Sequence, residues 1–100
     1  MADRLHFMGD GNPGPRGGKV YVFHCPGCQY SHPVEVDAPG GAGWTWNGSM
    51  ERPTFSPSLL VNKDAPEQRC HSFVRDGRIE FLSDCFHVLA GKTVDIPEWE

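Results

Sequence analysis

The chain has 100 residues, a net charge of −4, and a 38% share of hydrophobic residues alongside twelve glycines and nine prolines. That size gives one domain with a limited core, rich in turns and helped by an added staple such as a metal ion. The acidic balance and scattered basic residues argue against a surface that tracks phosphates, and no run of about 18 apolar residues could span a bilayer.

Residues 1–18 contain GDGNPGPRGG, read as a flexible segment or one laid over the surface, ahead of a single domain over residues 19–100. KVYVFH, starting at Lys19, carries β-branched and aromatic residues and reads as a strand. CPGC then makes a tight turn, and YSHPVEV alternates as a second strand antiparallel to the first, with Pro33 marking an edge or bulge. Trp44 and Trp46 share a face of WTWNG, and the two prolines of 49–58 exclude a regular helix there. LLVN (59–62) reads as a short apolar strand.

CHSFVRDGRIEFLSDC is the clearest element. Asp76-Gly77 is a type I′ hairpin signal, which pairs Arg75 with Arg78, Val74 with Ile79 and Ser72 with Phe81. Cys70, Ser72, Val74, Ile79 and Phe81 then form the core face. A short helix over 84–90, ended by Gly91, and a last strand in KTVDIP complete the chain. The expected fold is mainly β, a small α+β domain of antiparallel hairpins with a zinc knuckle and one short C-terminal helix.

Four cysteines in a chain without a secretory signal read as ligands or as buried thiols in a reducing cytoplasm, rather than as a disulfide frame. Structural zinc takes four Cys or His ligands, and the CPGC turn offers two sulfurs with amides free to bond them. Cys70, His71, Cys85 and His87 gather at the open base of the hairpin. Neighbours on a strand face opposite ways, so Cys70 and His71 do not bind the same ion. The preferred quartet is Cys25, Cys28, Cys70 and His87, with His71 and Cys85 in reserve. His32, among valines, reads as a hydrogen-bonded core histidine.

The motifs CPGCQYSH, WTWNG, RPTFSPSLL, CHSFVRDGRIEFL and DCFHVLAGKTV together resemble a family of small phage and prophage proteins of unknown function. Some of its members carry an "ammonia monooxygenase" label that no physical feature of this chain supports. The resemblance implies action inside a bacterial cell and implies no activity. The family pattern often has CPxCG, where this chain has Gln29.

Two functions follow from these residues. One is a zinc-stapled, non-enzymatic binding module, using a patch of Trp44, Trp46 and Phe55 against a host or phage protein. The other is a small metal-dependent hydrolase with an open zinc site, lined by His71, Asp84 and His87 and faced by Thr54 and Ser56. No sequence signature of a known catalytic site is present, so the first is the expected reading.

Overall fold

The computed structural model describes residues 3–41, 43–62 and 64–99. The chain is mainly β, in two antiparallel sheets. The first has the order β1-β2-β3, built from β1 (His6–Phe7), β2 (Lys19–His24) and β3 (Ser31–Val36). The second has the order β4-β5-β6-β7-β8, built from β4 (Thr45–Trp46), β5 (Phe55–Val61), β6 (Cys70–Arg75), β7 (Arg78–Phe81) and β8 (Thr93–Asp95). Among the described residues no helix is long and apolar enough to cross a membrane.

Alternation decides what each strand buries. His32, Val34 and Val36 of β3 turn inward, and Pro33 is accommodated because β3 is an edge strand. Cys70, Ser72 and Val74 of β6, with Ile79 and Phe81 of β7, form the inner face of the second sheet, as the alternation predicts. Both sheets feed one apolar cluster, with Phe23 from β2, Phe55 and Leu59 from β5, and Ile96 beyond β8. The β6–β7 turn has both central residues at positive φ, Asp76 at 52° and Gly77 at 76°, the type I′ geometry its sequence calls for.

Three expectations change. The short C-terminal helix does not form; residues 83–91 make successive turns instead. Their amides bond three residues back, Cys85 to Leu82, Ala90 to His87 and Lys92 to Leu89, while the Phe86 amide bonds across to the Arg69 carbonyl. Those ties hold the segment against β6 and leave no room for i→i−4 winding. The N-terminal segment is also better anchored than its glycines and prolines suggest. It supplies β1 and buries Leu5, and the buried Glu35 carboxylate accepts from the amides of Arg16 (3.0 Å) and Gly18 (2.7 Å).

The aromatic residues do not form the expected exposed patch. Phe55 lies in the core, and Trp46 packs between Tyr21 (centroids 4.5 Å apart) and Phe55 (6.4 Å). Trp44 is half-buried and donates its indole N–H to the Ser58 carbonyl at 3.3 Å. A small domain short of apolar residues spends its rings on packing.

Anchoring of the N-terminal segment gives a direct expectation. Leu5→Ala should destabilise the domain by about 2–5 kcal/mol, as a buried leucine does, read from urea unfolding. A change within about 0.5 kcal/mol, the usual effect of a surface substitution, would mean that the segment is not part of the folded unit.

Candidate active site and metal centre

The β2–β3 turn supplies two of four residues that could hold a metal ion. The Cys28 amide lies 3.4 Å from the Cys25 sulfur, and the Gln29 amide closes the turn on the Cys25 carbonyl at 2.9 Å. Gln29 takes a left-handed φ of 67°, the conformation for which glycine is favoured, and its side-chain amide bonds the Pro26 carbonyl. Cys70 reaches this turn from β6. Cys25, Cys28, His32 and Cys70 each bring one ligand atom within 4.8 Å of the others, close enough to hold a metal ion.

His32 is buried, as its place among valines suggests, but its Nε2 has no hydrogen-bond partner. An orphaned buried nitrogen beside three sulfurs fits a ligand. His87 also lies at the site, with Nε2 3.7 Å from the Cys70 sulfur, and it groups with Cys70 and Cys85. Its imidazole sits so close to Gly27 that a Cβ there would be 2.2 Å from the ring, so only glycine fits the turn beneath it. Cys85 is engaged elsewhere. Its sulfur accepts from the His71 amide (3.2 Å) and donates to the His71 carbonyl (3.0 Å).

Electrostatics within the cluster favour a cation. A hydrogen bond from the Cys70 thiol, aided by His32 and the Cys28 amide, holds the Cys25 thiol down at about 3 against its burial. Burial, then the Cys25 charge, pushes Cys28 up to about 11. Cys70 is pushed up as the donor to Cys25, with burial and the neighbouring thiolate adding to it. One thiolate forms readily, and the next two need a positive charge beside them.

A second constellation lies on the opposite face of β6. His71 Nε2 is 3.0 Å from Ser58 Oγ, and His71 Nδ1 is 3.2 Å from Asp84 Oδ2. Serine, imidazole and carboxylate stand in line, each ring nitrogen facing one partner. The histidine is 26% exposed and the aspartate 43%, so the group is open to solvent.

Local structure explains the meeting. Between Phe55 and Leu59 the β5–β6 register shifts: Phe55 faces Val74 and Leu59 faces Ser72, four steps on one strand against two on the other. Pro57 lies in this irregularity and has no N–H for the ladder. Such bulges re-aim side chains. Ser58 emerges from it on the face that also carries Leu60 and His71, and the turns after β7 bring Asp84 alongside.

The metal candidates therefore divide between the two faces. Cys25, Cys28 and Cys70 converge with His32, while His71 belongs with Ser58 and Asp84. Of the residues considered for an open zinc site, Thr54 accepts from the Asp76 amide at 2.8 Å and Ser56 is an exposed residue at the β4 edge. Ser58 had no signal in the sequence. A triad is recognised by geometry, and its members occur in several chain orders.

A family model described as bacterial ubiquitination-like system serine protease (BubE) matches residues 3–82, and the chain belongs to that family. No curated protein and no solved structure matches it.

One ion is expected to bind per chain, releasing about two protons at pH 7, from Cys28 and Cys70, so that affinity falls as pH falls. Titration calorimetry in buffers of different ionisation enthalpy measures this. His32→Ala should abolish stoichiometric binding, whereas His87→Ala should retain the ion with affinity lowered about 10–100-fold. The reverse pattern would exchange the two histidines.

Proposed function

We propose that this chain is a serine hydrolase that cleaves a peptide bond within a bacterial ubiquitination-like system. Ser58 is the nucleophile, His71 the general base and Asp84 the group that orients it. The observation that carries this reading is the pair of contacts on His71, to Ser58 at Nε2 and to Asp84 at Nδ1. The family description, which names a serine protease, supports it independently.

The chemistry follows from the two contacts. As Ser58 Oγ bonds to the substrate carbonyl carbon, His71 Nε2 takes its proton. It then gives that proton to the leaving nitrogen, and the acyl chain remains on Ser58. Water then bonds to the acyl carbon as His71 Nε2 takes its proton, and His71 returns that proton to Ser58 Oγ as the acyl–Oγ bond breaks and the acid is released, ionising to a carboxylate. Asp84 holds the tautomer with hydrogen on Nδ1 and stabilises the imidazolium.

Cys25, Cys28, His32 and Cys70 would hold a zinc ion. Three thiolates and one imidazole would complete a four-ligand zinc site and leave no position for activated water. The zinc is therefore structural, and the reading as a metal-dependent hydrolase loses its support, since His71 and Asp84 belong to the other face. Its contribution to the reaction is indirect: Cys70 fixes the strand from which His71 projects. The reading as a pure binding module loses the exposed aromatic patch on which it rested.

A fluorophosphonate probe tests the nucleophile without knowledge of the substrate. It should label Ser58 in the wild type and give no label in Ser58→Ala, with melting unchanged. Asp84→Asn should slow labelling by about 10²–10⁴-fold, the range for loss of a triad carboxylate or of general-base assistance. Label on another residue, or none on the folded wild type, would contradict the assignment.

A further inference from the structure

We propose that the free edge of β5 at Leu60 is the rail on which the substrate's main chain docks as an added strand; this rests on the reading of Ser58 as nucleophile. Backbone parity decides which groups of this edge are free. In an antiparallel strand the N–H and C=O of one residue point to the same side, and successive residues alternate. The His71 amide points to the Cys85 sulfur, and its carbonyl accepts from the Leu82 amide at 2.9 Å. Both groups thus face away from β5. Leu60 is the direct partner of His71, so the two form the non-hydrogen-bonded kind of pair. Its own N–H and C=O therefore point outward from β6. Ser58 has the same parity, and its carbonyl does point outward, to the Trp44 indole.

No described strand covers Leu60 on that side. β4 pairs with β5 only at Thr45–Ser56 and Trp46–Phe55. At Trp44 the chain leaves the edge, where its amide bonds the Glu35 carbonyl and it bridges to Val36. Beyond Val61 the edge turns away, with Asn62 at a φ of 56°. Leu60 is 44% exposed, and its side chain shares a face with Ser58.

One residue thus offers an outward donor and acceptor two positions from the nucleophile. A main chain that pairs there is extended, and its residue two positions along lies beside Ser58. The Trp44 indole occupies the Ser58 carbonyl, so pairing stops where the reacting carbonyl must sit. The occupant this fits is an extended, unfolded stretch of the protein substrate, such as a tail or linker. A folded domain meets such a rail only through an exposed strand edge of its own, which native proteins shorten or cover.

The best-cleaved member of a set of fluorescence-quenched peptides provides the test, resynthesised with one backbone nitrogen methylated at a time. Methylation two residues from the cleaved bond should lower kcat/KM by about tenfold or more, mainly through KM, because one main-chain hydrogen bond is lost and the strand is displaced. Leu60→Pro, tolerable on an edge strand, removes the outward N–H while keeping the carbonyl and should lower turnover of the unmethylated peptide. A flat methylation scan on a wild type whose Ser58 still takes the fluorophosphonate overturns the rail and leaves the nucleophile standing. Absence of Ser58 labelling removes the reading beneath it. A Leu60→Pro chain that changes from dimer to monomer in sedimentation, with unaltered peptide cleavage, assigns the edge to a second copy and overturns the proposal as well.

Discussion

The contact between Cys70 and the β2–β3 turn is the constraint from which the rest follows. It joins a strand of one sheet to a turn of the other, in a chain whose apolar residues are too few to fill a large core. Cys70 and His71 are adjacent on β6, so they face opposite ways. The same strand therefore presents a sulfur inward to Cys25, Cys28 and His32 and an imidazole outward to Ser58 and Asp84. Holding one fixes the other. Cys85 adds a second tie, gripping the amide and the carbonyl of His71 with one sulfur.

This arrangement explains how a short β domain can hold a serine, an imidazole and a carboxylate at hydrogen-bond distance. The members come from three places: a bulged strand, a hairpin strand and the turns beyond that hairpin. None is held by a helix. The expected helix over 84–90 would have carried Asp84 on a rigid element; instead, bonds to β6 hold the turns there. The outer face is open to solvent around His71 and Asp84.

Much of the fold is legible in the sequence. Alternation in KVYVFH, YSHPVEV and CHSFVRDGRIEF sets the strands, and Asp76-Gly77 sets the hairpin register residue by residue. Cys25, Cys28 and Cys70 are legible as a converging set, because a knuckle and a hairpin base are both local signals. His32 is harder. Its placement among valines points to burial, and burial is what the structure has, but only its neighbours reveal the unpartnered nitrogen. Ser58 is not legible at all. Its position depends on a register shift of two residues at Pro57, and its partners lie 13 and 26 residues further along the chain. The tryptophans mislead for a related reason: an aromatic residue reads the same in sequence whether it faces solvent or fills a gap between sheets.

The central claim is that an ion held by Cys25, Cys28, His32 and Cys70 on the inner face of β6 would keep the outer face competent. The most direct measurement is the rate at which a fluorophosphonate labels Ser58 in metal-loaded protein, in protein stripped by a chelator, and after zinc is restored. The account predicts rapid labelling, then loss, then recovery on reloading. Labelling that continues at the same rate in verified metal-free protein would contradict it.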